Sequence, residues 1–545
     1  MAVDINRLLI IVPAILIFSL GYHWQFGKLS EGYILAPLQY YMRRSFSLLF
    51  MLTTFWLAHL PQAKASVIAD GYPEIEWQEN HSSENEGHGD SGHGDQAADE
   101  EEHGHAPPGW TVIPFLLLLG MIATGPLFYE HFWHKNYPLI AVVLACIVVL
   151  YYLFVLQDTH APVHALAEYV QFIALLSSLY IASGGIMINV DKQATPMANI
   201  TLLLIGAVVS NFIGTTGASM LLIRPFIRLN KGRIQPYHII FFIFMVSNIG
   251  GALTPIGDPP LFLGFLKGVP FEWTLVHNLL PWAFALIILA VIFYYFDKRN
   301  KDLDYLDEVP VYTNKTTLIG SKNFLWLGII IISVFIDPNV IDGVPAIEND
   351  GMKFSFIREL IMFSVGFLSF RFANKKALSG NEFNFEPIRE VAFIFIGIFG
   401  TMMPALALVS EFAQSETGAA MIGANSLYWG TGFLSGFLDN APTYLNFLAA
   451  ALASQGGSIN VITDVQAYAA GGTYTDSVIN LTAIAVGAVF FGAMTYIGNG
   501  PNFMVKSIAE QTGIHMPSFF GYILRYSIPI LIPIFILVWL LFFVI

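Results

Sequence analysis

Gly251-Ala252-Leu253-Thr254-Pro255-Ile256-Gly257-Asp258-Pro259-Pro260-Leu261-Phe262 matches Gly492-Ala493-Met494-Thr495-Tyr496-Ile497-Gly498-Asn499-Gly500-Pro501-Asn502-Phe503 at seven of twelve positions. Each copy interrupts a long apolar run with Gly, Pro, Thr and Asp or Asn, residue types that unwind a helix. Paired, broken hydrophobic segments in the two halves of a membrane protein point to a transporter's binding site.

The surrounding composition agrees. The chain of 545 residues is 55% hydrophobic and 12% charged, with a mean hydropathy of +0.62. Soluble domains carry roughly 25% charged residues. Many apolar runs approach or exceed the ~20 residues that span a bilayer, so the expected class is an all-α polytopic membrane protein. The single cysteine, Cys146, rules out an intrachain disulfide. No phosphate loop, nucleic-acid-binding stripe or nucleotide domain is visible, so the energy source is expected to be an ion gradient. No cofactor is expected, and Na⁺ is the coupling or transported ion.

Runs fall near 110–131, 138–157, 163–188, 198–223, 237–266, 277–296, 323–336, 354–372, 390–411, 425–453, 475–505 and 517–545. Basic loops at 224–233 (Arg224, Arg228, Lys231, Arg233), 297–322 and 371–389 should be cytoplasmic. Acidic or neutral loops at 337–350 and 454–476 should face outward. These sides cannot be reconciled if every run crosses. They can if 198–223 and 425–453 dip in and return, with tips at Gly214-Thr215-Thr216-Gly217 and Asp439-Asn440-Ala441-Pro442. The expected fold is therefore about ten transmembrane helices, two re-entrant hairpins and two broken helices in an inverted-topology repeat. The membrane domain covers 109–545, with a first repeat near 163–296 and a second near 390–545.

Before it, Met42-Arg43-Arg44, the apolar run Ser45–Leu60 and Ala63-Lys64-Ala65 follow the order of a secretory signal peptide. Within the N-terminal extension 1–65, residues 42–65 are thus expected to be a cleaved signal; the alternative is two membrane helices. Residues 66–108 are acidic and histidine-rich, too polar to bury a core, and are expected to be an extracytoplasmic tether. His81, His88, His93, His103 and His105 are weak metal candidates because their spacing is irregular.

The two hairpins also correspond: Ser210-Asn211-Phe212-Ile213-Gly214-Thr215-Thr216 against Ser435-Gly436-Phe437-Leu438-Asp439-Asn440-Ala441. Tips and breaks should meet near the midplane, exposing backbone carbonyls and half-helix termini to an ion. The candidate ion- or substrate-binding residues are Ser210, Asn211, Thr215, Thr216, Ser247, Asn248, Thr254, Gly257, Asp258, Ser435, Asp439, Asn440, Thr443, Thr495, Asn499 and Asn502. A carboxylate at bilayer depth is a functional candidate by default. Asp258 and Asp439 fit that description, although Asp before Pro-Pro or Asn-Ala-Pro is also ordinary turn chemistry.

Ser247-Asn248-Ile249-Gly250-Gly251-Ala252-Leu253-Thr254-Pro255-Ile256-Gly257-Asp258 and Leu438-Asp439-Asn440-Ala441-Pro442 resemble signatures of the ion-transporter superfamily. That superfamily includes NhaD-type sodium/proton antiporters, ArsB-type arsenite carriers, citrate carriers and sodium-coupled dicarboxylate carriers. The resemblance is strongest to the NhaD type. Gly498-Asn499-Gly500-Pro501-Asn502, however, looks closer to carboxylate carriers. The resemblance implies a scaffold part, a transport part moving by an elevator motion, a homodimer, and residence in a bacterial-type inner membrane.

Two functions follow as expectations. The first is Na⁺(Li⁺)/H⁺ antiport on Asp439 and Asp258; the alternative is Na⁺- or H⁺-coupled transport of citrate or a similar organic anion. An anion needs positive charge, and Lys506 is the one Lys or Arg in the four segments. A membrane enzyme or a scaffold is disfavoured, because no nucleophile–base set is visible and scaffolding needs no duplicated breaks. The expected partners are lipid and a small ion or organic anion, not nucleic acid.

Overall fold

The computed structural model describes residues 107–191, 194–300, 315–338, 341, 343–349 and 352–544. The signal-peptide reading and His81, His88, His93, His103 and His105 lie outside the described residues. The described chain is built from α-helices, with two small antiparallel ribbons. One ribbon pairs Met187 with Ile319 through to Asp191 with Lys315, and the other pairs 347–349 with 352–354.

Three helices open the bundle: α1 (Ile113–Phe128), α2 (Glu130–Tyr151) and α3 (His160–Gly184). Next comes α4 (Pro196–Leu229), an unbroken helix in its hydrogen bonding except at Gly214, where φ is 75° and ψ is 156°. A straight helix would set Asn199 and Asn230, 31 residues apart, about 46 Å from each other. Instead their side-chain amides bond each other twice, at 2.8 Å each way. The element is therefore a hairpin folded at Gly214, where glycine is required because the φ is positive and an extended ψ follows.

A broken helix follows, made of α5 (Pro236–Met245), a short turn over Ile249–Leu253 and α6 (Pro259–Lys267). Then come α7 (Trp273–Lys298), α8 (Lys322–Val334), α9 (Ile357–Arg371) and α10 (Glu386–Gln414). The second half repeats the plan. α11 (Ala424–Phe437) and α12 (Asn440–Ala453) form a hairpin, since a Cβ on Gly430 would meet the Phe447 ring at 3.0 Å. α13 (Ser477–Phe491), a turn at Gly492–Met494 and α14 (Gly500–Gln511) form the second broken helix, and α15 (Phe519–Phe542) closes the chain.

Nine helices among the described residues are long and apolar enough to cross a membrane, and one of these is the α4 hairpin. Among the shorter helices, α8 (13 residues) is also apolar; the sequence expectation is about ten crossings. The broken segments are the most buried, with every residue from His238 to Asn248 enclosed. Lys267, at the end of α6, bonds Asn460 just past α12 (3.2 Å). The first broken helix thus runs from the base of hairpin one, through the tips, to the base of hairpin two, so the hairpins enter from opposite sides.

Arg358 and Glu359, at the start of α9, are buried, with Arg358 held between Glu359 and Asp337 at 2.6 Å each.

Candidate functional site

The four duplicated segments meet at Asp258, which is 1% exposed. Its Oδ1 accepts from Thr215 Oγ1 (2.7 Å) and Asn499 Nδ2 (2.9 Å), and its Oδ2 from Asn440 Nδ2 (2.6 Å). Each donor comes from a different element: the tip of hairpin one, the second break and the tip of hairpin two. Asn499 occupies the place in the second break that Asp258 has in the first, 241 residues earlier. Thr215 and Asn440 are likewise equivalent in the two tips. All three donors are neutral.

Both residues of the Asp258–Asn499 pair are N-caps whose side chains leave their own helices, α6 and α14, uncapped. Their polar groups turn to the centre instead. Asp439 caps α12 in the ordinary way, its Oδ1 accepting from Ala441 N at 3.0 Å, and it is half-buried. Three helix N-termini, those of α6, α12 and α14, therefore point from this centre.

The remaining expected residues divide by what they hold. Thr254 and Thr495 make the same bonds in the two halves. Each hydroxyl donates to a hairpin carbonyl, of Asn211 (2.6 Å) and Gly436 (2.7 Å), and accepts from the amide of Gly257 or Gly498. Ser210 donates to the Val246 carbonyl and Ser435 to that of Ala488. Asn211 bridges the Gly250 carbonyl and the Leu253 amide. Thr443 bonds the Asp439 carbonyl. Apart from Thr443, whose bond lies within hairpin two, these side chains fasten the hairpins to the broken helices. A methyl on Gly257 would run into the Gly251 carbonyl, so the first break closes on itself only with glycine there.

Ser247 bonds Ser219 (2.8 Å), and its carbonyl accepts from Asn499. Asn248 donates to Asn502 Oδ1 (2.7 Å), while Asn502 donates to the Gly492 and Thr495 carbonyls. Asn248 Oδ1 is buried with no partner among the described residues and lies beside Gly492. Thr216, next to Thr215, is half-buried. Lys506 lies away from the centre, paired with Glu510 at 2.8 Å.

Two sets of residues escaped sequence reasoning. The first satisfies the carbonyls that the breaks leave open. Asn278 and Thr274 of α7 bond Ala252 and Leu253, and Tyr522 and Ser527 of α15 bond the equivalent Ala493 and Met494. Different residue types do the same work, so no repeated motif announces them. The second closes the base of hairpin one. Asp297 accepts from Arg233 (2.9 Å), Asn199 (2.9 Å) and Tyr237 (2.8 Å) and pairs with His238 (3.0 Å). Its members lie at run ends, where polar residues are unremarkable.

Crossing helices, two opposed hairpins and two broken helices converging on a buried polar centre define a multi-pass membrane transporter. The chain belongs to the family described as "Putative citrate transport", whose model matches residues 104–543. No curated protein matches it.

Proposed function

We propose that the protein is a secondary active transporter that exchanges Na⁺ or Li⁺ for H⁺, as the resemblance to NhaD-type antiporters implies. The observation that carries this reading is the company of Asp258: a buried carboxylate whose three hydrogen-bond donors are all neutral. A charge so placed is costly unless a cation or a proton answers it. Protonation at Oδ1 is accommodated by Thr215, because a hydroxyl both donates and accepts. The amides of Asn440 and Asn499 keep donating through the exchange. A cation binding at the carboxylate competes for the same oxygens, which is what exchange requires. Asp439, at the tip of hairpin two, is the second acid.

A second reading is coupled transport of citrate or a related anion, and the family description favours it. Three helix N-termini offer an anion about half a positive charge each. Two of them begin at Asp258 and Asp439, whose carboxylates oppose an anion unless a cation is bound first.

Proteoliposomes distinguish the two readings. A Na⁺ gradient should build a pH gradient without citrate, and Asp258→Asn should abolish it. Citrate accumulation under a Na⁺ or pH gradient, with no exchange in its absence, would overturn antiport in favour of the second reading.

A further inference from the structure

A cavity of about 420 Å³ opens where three helix ends meet, and neither Asp258 nor any of its three donors lines it. The start of α7 contributes His277 and Leu280, the start of α13 Asp476 and Ser477, and the end of α15 Phe542 and Phe543. It lies at the end of α7 away from Lys298 and the basic loop that follows.

The walls carry both signs of charge. At the start of α13 the amides of Ser477, Val478 and Ile479 have no acceptor within the helix, which gives that end about half a positive charge. Asp476, just before it, has φ 52° and does not cap these amides with its side chain. Ser477 is 1% exposed, yet its hydroxyl has no hydrogen-bond partner among the described residues. A buried hydroxyl left so is costly, and an acceptor in the cavity would answer it. The negative side is the exposed carboxylate of Asp476, with the last-turn carbonyls of α15. His277 stacks on Trp273 at 4.3 Å, and its Nδ1 lies 2.8 Å from the Trp273 carbonyl oxygen. A carbonyl only accepts, so Nδ1 carries the hydrogen and Nε2 of the neutral ring offers a lone pair.

The site is also held in shape. Gln455, just past α12, donates to the Thr475 carbonyl (3.0 Å) and accepts from the Thr475 amide (2.7 Å), which fixes the loop that carries Asp476. Beside the cavity the surface turns apolar along the seam of α7 and α15. Leu280 is 68% exposed, and the rings of Phe284 and Phe542 sit 6.1 Å apart.

We propose that this cavity binds a phospholipid with a phosphoethanolamine headgroup. The phosphate takes hydrogen bonds from the free amides of α13 and from the Ser477 hydroxyl. The ammonium donates to the Asp476 carboxylate, to His277 Nε2 and to the carbonyls at the end of α15. The acyl chains lie on the α7–α15 seam, where Leu280 and Phe542 face them. A headgroup with only negative charge leaves Asp476 unanswered. A choline headgroup keeps the positive charge but has no N–H for these acceptors.

The test is native mass spectrometry of the full-length protein in detergent, equilibrated with phosphatidylethanolamine, phosphatidylglycerol or phosphatidylcholine of the same acyl chains. The wild type should hold one phosphatidylethanolamine at least tenfold more tightly than either other lipid. Asp476→Asn should erase that preference. Asn tolerates a positive φ, so the variant should fold, and thermal unfolding checks that it does. His277→Phe keeps a ring to stack on Trp273 but loses the acceptor, so it should weaken phosphatidylethanolamine binding and spare phosphatidylglycerol. It decides the matter if Asp476→Asn misfolds. Glycerophosphoethanolamine, the headgroup without chains, should compete only at a concentration at least a hundredfold above that of the lipid. Equal retention of the three lipids by the wild type, or an undiminished preference in the folded variants, would overturn the proposal. Competition by glycerophosphoethanolamine at equal concentration would overturn it too, in favour of a soluble zwitterion. The readout is binding alone, so its failure is separate from any failure of Na⁺/H⁺ exchange.

Discussion

At the scale of single residues, the two acids are built differently and should respond differently. Asp258 offers two oxygens to three donors. Asn at that position turns an NH₂ toward one of them, and an unanswered buried donor costs about 1–3 kcal/mol. Asp258→Asn should therefore both lose exchange and unfold at lower temperature in detergent. Asp439 caps α12 through one oxygen, and Asn keeps that acceptor at a cost of ~1 kcal/mol or less. Asp439→Asn should purify with near-normal stability yet lose coupled exchange. Near-normal exchange would reduce Asp439 to a turn residue and leave coupling to Asp258. In the wild type, the Na⁺ concentration for half-maximal exchange should rise as pH falls, because protons compete for the same oxygens. A value independent of pH would argue against competition. Both acids were legible because carboxylates stand out in apolar runs. That Asn440 reaches Asp258 across 182 residues was not.

At the scale of elements, the hairpin in α4 depends on one residue. Gly214 has φ 75° and ψ 156°, and a Cβ there would lie 3.3 Å from the Ile256 carbonyl oxygen. Gly214→Ala should cost about 1–3 kcal/mol and lower the thermal midpoint; an unchanged midpoint would mean that the tip is not held in this shape. A second element-level contact joins α3 to α6, where Glu168 and Lys267 pair at 2.6 Å, both largely buried. Lys267→Met strands the carboxylate and should cost up to roughly 3–5 kcal/mol. Adding Glu168→Gln should recover most of the loss, and a double-mutant cycle in thermal unfolding measures the coupling. The pair's distance in the chain hides a partnership that forms when α6 packs on α3.

At the scale of the whole molecule, the opposed hairpins predict opposite accessibilities. In a Cys146→Ser background, Lys231→Cys at the base of hairpin one should label only from the cytoplasmic side. Thr473→Cys, in the loop after hairpin two, should label only from outside; both positions are exposed. Labelling of both from one side would break the inverted arrangement. The sides come from the basic loops, while the opposition of the hairpins rests on the fold.

The sequence by itself determined the membrane class, the two breaks and the two dips, because hydropathy, helix breakers and loop charge are local properties written along the chain. It also marked Asp258 and Asp439, since a carboxylate in an apolar run has few bland explanations. Only the tertiary structure decided which polar groups answer which. Side chains of different types, Asn278 and Tyr522 or Thr274 and Ser527, satisfy equivalent carbonyls in the two halves. Hydrogen bonding constrains donor and acceptor geometry rather than residue identity, so such partnerships leave no motif. They exist only once the helices are packed.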